Sequence, residues 1–183
     1  VTVLRGERCT VRPWRLPDAL ELPAIANDPD VARWLLPLFP SPYRLHDAQD
    51  WVRRNADADP VCNFAVEHDG ALAGAVGLVM GEPAQARAGI ASIGYWIGKP
   101  FWGRGIATEA VTLLSQHAFA QLGVRRLWAN VMAANVGSAR VLEKAGFLHE
   151  ATLRDALVDR DGVVHDEHIY VRFTPGCDPH ENG

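Results

Sequence analysis

The segment Trp102-Gly103-Arg104-Gly105-Ile106-Ala107-Thr108 has the residue types and spacing most suited to chemistry. Glycine lets a backbone turn tightly and bring its N–H groups close to a ligand. The segment lies between an apolar run of strand length, Ile90 to Ile97, and a helical pattern that begins at Ile106. The first turn of a helix offers unpaired N–H donors and the positive end of the helix dipole, so phosphate oxygens are its natural ligand. Thr108 adds a hydroxyl. The same glycines would also serve a loop that needs them only for its shape. The segment half-matches the dinucleotide fingerprint Gly-x-Gly-x-x-Gly, with Thr108 in the last place. That fingerprint requires an acidic residue about 20 positions on, to hold a ribose, and Arg125 and Arg126 stand there instead. A hundred residues with several antiparallel strands precede the loop, so a dinucleotide-dependent oxidoreductase is disfavoured.

Other reactive side chains are scattered. His165 and His168 form a lone His-x-x-His. On a strand they face opposite sides, which argues against a metal site. Cys9, Cys62 and Cys177 are few, odd in number and widely spaced, as for reduced thiols in a cytosolic protein. Each reads as a small core or surface residue, with a catalytic cysteine as the alternative.

The 183 residues suit one domain with a real core. Apolar residues make up 48% and charged residues 22%. The net charge of −4 does not indicate a broad nucleic-acid surface, although a local basic site is compatible with it. No apolar run approaches the ~20 residues that span a bilayer. Arg5 and Arg8 interrupt any signal-peptide core. Val1 in first place implies loss of an initiator residue or tag. The expected location is therefore the cytoplasm.

The elements that must position the loop can be read from periodicity. Thr10 to Trp14 reads as an edge strand that tolerates Pro13. Pro17-Asp18 starts a helix, and Asp28-Pro29 starts a second that carries Val31, Trp34 and Leu35 until Pro37 and Pro40 stop it. A third helix runs from about His46 to Asn55. Asn63 to Glu67 and Ala71 to Met80 form a hairpin across Asp69-Gly70. Gly81 to Ala88 is loose. From Ile106, apolar residues recur over about four turns until Gly123. Arg126 to Met132 is a strand. Asn135 caps a short helix ended by Gly146. Leu148 to Phe173 is a pair of strands joined near Asp159-Arg160-Asp161-Gly162. The fold class is α/β (α+β): a mixed, mostly antiparallel sheet flanked by helices, with one strand–helix–strand crossover. Residues 6–173 read as the domain and 174–183 as a flexible tail. Exposed apolar strands make a homodimer conceivable.

Across residues 6–173 the sequence resembles the GNAT superfamily of acetyl-CoA-dependent N-acetyltransferases, within it the branch of ribosomal-protein alanine N-acetyltransferases. The resemblance rests on Leu16-Pro17-Asp18-Ala19, Ile93-Gly94-Tyr95-Trp96-Ile97, Trp102 to Ala110, Asn135 to Phe147, and His165-Asp166. The superfamily loop is Gln/Arg-x-x-Gly-x-Gly/Ala. Gly105 and Ala107 match it, while Trp102 fills the Gln/Arg place, a departure usual in this branch.

The resemblance implies acetyl-CoA as cosubstrate. Its pyrophosphate would rest on the loop Trp102-Gly103-Arg104-Gly105-Ile106-Ala107-Thr108, chiefly on the amides of Arg104 to Thr108. The backbone of Tyr95-Trp96-Ile97 would pair with the pantetheine arm, on a strand splayed from Arg126–Met132. Asn135 would bond the cofactor near its reactive end or cap its own helix. Lys144 would reach a phosphate or stand in solvent. Many relatives place an acidic tyrosine where this chain has Leu142, so that group is absent. In the resembled branch the corresponding role falls at Ser138, which could equally be an ordinary first-turn residue. The base is open among Asp155, Asp159, Glu167 and His165. His165-Asp166 could instead be a packed or turn-closing pair, and the acids at 159–161 could simply make the turn. Trp34, Trp51 and Phe39 would line the acceptor slot or belong to the core. The acceptor would be a primary amine, on a protein N-terminus or a small molecule. The expected reaction is direct transfer, with a non-catalytic CoA-binding module as the alternative.

Overall fold

A computed structural model describes residues 2–82 and 87–176. The strands are β1 (Leu4–Arg5), β2 (Thr10–Pro13), β3 (Asn63–His68), β4 (Ala71–Met80), β5 (Ile90–Ile97), β6 (Arg126–Met132), β7 (Leu148–Val158) and β8 (Val164–Phe173). The α-helices are α1 (Asp18–Ala26), α2 (Pro29–Ala32), α3 (Leu45–Ala56), α4 (Ile106–Gln121) and α5 (Val136–Lys144). One eight-stranded sheet has the order β1-β2-β3-β4-β5-β6-β8-β7. Its one parallel pair is β5–β6, joined through α4, as a parallel connection requires a crossover. Every other pair is antiparallel.

Strand alternation divides the core into two layers. Phe64 and Val66 of β3 face one side with Ala110, Val111, Leu114 and Ala118 of α4. Ala65 faces the other with Trp14, Leu22 and Val52, under α1 and α3. The Asp69-Gly70 turn has positive φ at both residues, 49° and 80°, as a tight hairpin of this type demands.

Two features differ from expectation. A two-residue strand, β1, lies outside β2, so β2 is not the sheet edge. Pro13 is tolerated because β1 reaches only Val11. The second helix stops at Ala32 instead of continuing through Trp34 and Leu35. Its continuation tightens into turns in which the Trp34 and Leu35 amides bond the carbonyls of Val31 and Ala32. Pro37 makes the longer helix costly to extend. Within the loose segment, residues 83–86 lie outside the described residues, as do tail residues 177–183. Thr174 is tied down: its amide bonds the Arg125 carbonyl and its hydroxyl the Val124 carbonyl.

The start of α1 is fixed by a buried ion pair. Arg12 Nη1 and Nη2 donate to the two oxygens of Asp18 at 2.8 and 2.9 Å, and Arg12 Nε donates to Glu67 at 2.8 Å. Arg12 and Asp18 are each 4% exposed. Asp18 also accepts the Arg15 amide at 2.7 Å. Removing Asp18 leaves the buried Arg12 with Glu67 alone and the Arg15 amide without its acceptor, and breaking a buried pair costs up to ~3–5 kcal/mol. Asp18→Ala should therefore lower the urea midpoint. The double variant Arg12→Met/Asp18→Leu should recover part of that loss, because Glu67 and the Arg15 amide still lack these partners. Equal midpoints for Asp18→Ala and wild type would exclude this pin.

Candidate active site

The glycine loop sits where the sheet opens. β5 ends at Ile97, and a single 3₁₀ turn, Lys99–Phe101, leads to Trp102. The Trp102 indole N–H donates to the Ile97 carbonyl at 2.6 Å, folding the loop back on the strand end. Gly105 is left-handed, with φ 75° and ψ 3°, and caps α4 with no side-chain bond. The first bond within α4 runs from the Glu109 amide to the Gly105 carbonyl. The amides of Ile106, Ala107 and Thr108 therefore have no acceptor within the helix, and all three residues line a cleft of about 1150 Å³ together with Gly103 and Gly105. A set of orphan donors at the positive end of a 16-residue helix fits a phosphate oxyanion.

Behind the loop, Glu109 fastens α4 to the N-terminal segment. Its carboxylate accepts the amides of Glu7 at 3.0 Å and of Arg8 and Cys9 at 2.7 Å. A Cβ on Gly6 would stand 2.4 Å from the Glu109 carboxyl and would displace it from these amides. Burial works against ionisation of Glu109, but the Arg8, Cys9 and Glu7 donors outweigh it and hold the carboxyl below its usual range. The same arrangement brings the Arg8 guanidinium over Gly105, within 3.1 Å of where a Cβ would be. Neither Glu109 nor Arg8 stood out in sequence. A glutamate in a first helical turn is common, and its partners lie a hundred residues away.

The cleft continues from the loop between β5 and β6. These strands pair only at Ile90–Arg126, Ala91–Leu127 and Ser92–Trp128. β4 pairs with β5 through to Ile97, and β8 pairs with β6 through to Met132. Each strand thus follows its outer neighbour, and beyond Ser92 the two diverge. Tyr95, Trp96, Ile97, Asn135 and Ser138 all line the resulting gap. Reading Tyr95 for its backbone alone missed its hydroxyl, which lies 2.8 Å from Ser138 Oγ and 3.1 Å from the Ser138 carbonyl. Burial pushes the Tyr95 phenol up, against the lowering effect of the Ser138 bond, so it stays protonated at neutral pH. Asn135 Oδ1 accepts the Ser138 amide at 3.1 Å, so Asn135 does cap α5. Leu142 is fully buried in the core. Lys144 lines the cleft, as does Arg140.

The far end of the cleft is aromatic and apolar. Trp34, Phe39 and Trp51 all line it, with Tyr43 and Trp96. Phe39 packs on Tyr43 and Trp96 at centroid distances of 5.1 and 5.7 Å, and Trp51 packs edge-on against the core residue Trp14. Asp47 and Asp50 are the carboxylates on this wall. The expected bases lie elsewhere. Asp159 closes the β7–β8 turn by accepting the Asp161 and Val163 amides, and its other oxygen pairs with His165 Nε2 at 2.7 Å. That His165 bond, with the turn amides, holds the Asp159 carboxyl low. Asp155 occupies a bulge with φ 52°, its amide bonded to Asp166. Glu167 accepts Asn130 Nδ2 at 2.7 Å. His168 packs on His149 and Tyr170, away from His165. Among the described residues no group of three or more His, Cys, Asp or Glu could hold a metal. No helix there is long and apolar enough to cross a membrane. Burial raises the Cys9 thiol to about 12, helped by Glu109, and raises Cys62 as well; neither is a ready nucleophile. Cys177 lies outside the described residues.

The splayed parallel pair and the glycine-capped helix thus enclose one continuous cleft with an anion site at its end. Residues 8–148 match the acetyltransferase (GNAT) domain family. Over 167 residues the chain is 33% identical to "Putative ribosomal N-acetyltransferase YdaF" of Bacillus subtilis, covering 88% of each protein. The structure of Mycobacterium smegmatis RimJ in complex with CoA-disulfide superposes with TM-score 0.79 at 25% identity, over 94% of this chain and 86% of that one. RimL, the ribosomal L7/L12 alpha-N-protein acetyltransferase, solved with coenzyme A, shares the fold with TM-score 0.81 at 19% identity, over 94% and 98%. The chain belongs to the GNAT acetyltransferase family. It is an acetyl-CoA-dependent N-acetyltransferase.

The anchoring of α4 has a pH signature. The Glu109 carboxyl is lowered in the folded protein, from an ordinary value of 4.5. Its contribution is therefore fully present above that value and is lost as pH falls through the folded one. Glu109→Gln should cost up to ~1.5–3 kcal/mol at pH 7, the range for hydrogen bonds to a charged group. The gap in urea midpoint between variant and wild type should narrow as pH falls below 4.5. A gap that does not change with pH would exclude the charge as its source.

Proposed function

We propose that the amides of Arg104 to Thr108 hold the pyrophosphate of acetyl-CoA and that the Tyr95–Ser138 pair stands at its thioester. One observation carries this reading: the orphan amides of α4 and the Tyr95–Ser138 hydroxyls line the same cleft, joined by the β5–β6 gap. Backbone of Tyr95-Trp96-Ile97 without a β6 partner supports pairing with the pantetheine amides. Asn135 acts through Ser138, whose amide it fixes. Trp102 acts through its bond to Ile97. Lys144 and Arg140 supply positive charge along the same wall.

The acceptor in this reading is a primary amine at a protein N-terminus. The aromatic end of the cleft suits the side chains of a peptide better than a sugar, Asp47 and Asp50 on its wall suit a cationic amine, and the relatives include one named a ribosomal N-acetyltransferase and one a ribosomal L7/L12 alpha-N-protein acetyltransferase. An α-amine near pKa ~8 is already partly neutral at pH 7, so a remote base is sufficient. The amine nitrogen attacks the acetyl carbonyl directly, the C–S bond breaks, and the nitrogen releases its proton to water. Ser138 donates a hydrogen bond to the leaving sulfur, while the Tyr95 hydroxyl, which donates to the Ser138 carbonyl and lies beside Ser138 Oγ, holds the serine in place. A leaving thiolate of pKa ~8.5 needs only modest help, so the largest contribution is alignment along the gap.

Two experiments test the reading. Calorimetry should show acetyl-CoA binding to the wild type and at least an about tenfold loss, ~1.4 kcal/mol, for Gly105→Glu, whose carboxylate enters the anion site. Folded wild-type protein that fails to bind would overturn the assignment. With a free N-terminal alanine decapeptide as acceptor, Ser138→Ala should lower kcat about tenfold and Tyr95→Phe by a smaller factor. Acetyl-CoA affinity should stay unchanged in both. An acetylated protein trapped by mass spectrometry would sink direct transfer.

A further inference from the structure

Arg160, at the tip of the β7–β8 hairpin, reaches across the chain to a loop more than a hundred residues away. Its Nε donates to the Ala32 carbonyl at 2.8 Å, and its Nη2 donates to the carbonyls of Leu36 and Phe39, the former at 3.0 Å. Three main-chain acceptors on one guanidinium make a planar, charge-assisted clamp. Two of these carbonyls are also turn acceptors: the Leu35 amide bonds Ala32, and the Phe39 amide bonds Leu36. The clamp therefore braces the turns that follow α2. Otherwise this loop is held by the Tyr43 amide on Asn27 and by the packing of Phe39. Both clamped partners face the acceptor end of the cleft, with Leu35, Leu36 and Phe39 on one side and Leu157 on the other. Arg160 itself is aimed by Asp159, which fixes the turn through two amides and His165.

We propose that Arg160 is a specificity-determining positioning residue, which straps residues 32–39 to the β7–β8 hairpin so that the two form one wall of the acceptor slot. The proposal rests on the acceptor end assigned above. Arg160 bonds no residue of the glycine loop, so losing it alters recognition of the amine more than binding of acetyl-CoA. A lysine supplies the charge without the fork, so it cannot hold three carbonyls at once.

Hydrogen exchange and steady-state kinetics of the full chain test this together. Arg160→Met should speed exchange at Leu35 and Phe39 about tenfold, with no change in α4. It should raise KM for the alanine decapeptide about tenfold, while calorimetric Kd for acetyl-CoA stays within about twofold. Arg160→Lys should restore less than half of either effect. Unchanged exchange at Leu35 and Phe39 would overturn the strap. Faster exchange with an unchanged peptide KM, or an acetyl-CoA Kd that moves as far as KM, would overturn its role in recognition. If wild type neither binds acetyl-CoA nor acetylates the peptide, the functional reading fails, and the exchange comparison still decides the strap.

Discussion

Three residue pairs hold β5 and β6 together, and the active-site cleft exists because there are no more. Parallel strands normally continue to pair, because unpaired backbone groups buried in a sheet are costly. Here β5 is committed to β4 along its whole length and β6 to β8, so each follows its outer neighbour. What remains is an opening inside a continuous sheet, with strand backbone along its edges. The crossover helix then delivers its N-terminus to the end of that opening, because α4 must start where β5 stops. An anion site and a backbone-lined slot thus become contiguous through topology alone.

Topology does not fix these parts to within a fraction of an ångström; polar fasteners do. Glu109 gathers three N-terminal amides and sets α4 against β1–β2. Arg12 and Asp18 pin the first turn of α1 to β2. Trp102 ties the glycine loop to Ile97, and Arg160 ties the hairpin to the loop after α2. Each is an ionic or ring N–H group that meets main chain or a buried partner, and each joins segments that apolar packing alone would leave free to slide. Such bonds are directional, whereas burial of apolar surface is not.

Element order, the crossover and the glycine loop were legible in sequence because each leaves a local trace: period, cap, turn residue. Asn135 before Val136 reads as a cap and is one. Asp69-Gly70 reads as a hairpin and forms one. The short strand β1 left no trace, since two residues carry no period. The end of α2 was misread because Trp34 and Leu35 keep helical spacing while the chain turns more tightly. The fasteners escaped for a different reason. Glu109, Arg160 and the Tyr95 hydroxyl gain their meaning from partners 43 to 128 positions away. No window along the chain contains both ends. The base candidates are a separate case: Asp159 closes its own turn, a role its place in the sequence already suggests, Asp155 sits in a bulge and Glu167 meets Asn130, and none of the three lines the cleft.

The absence of a tyrosine on α5 follows from how that helix is packed. Leu142 is wholly enclosed between α5 and the core, so a larger polar side chain there would have to displace its neighbours or bury a hydroxyl without a partner. In this chain a phenol instead rises from the strand, at Tyr95, and meets α5 at its first turn. A phenol on β5 is anchored by strand pairing on one side and by Ser138 on the other, so it can orient the serine without moving. Its burial keeps it a donor across the neutral range. In the proposed mechanism this divides the work. The tyrosine supplies a fixed, protonated anchor, and the smaller serine, set by Asn135, faces the sulfur. A strand-borne phenol also leaves the α5 face free for Leu142 to seal the core beneath the cleft.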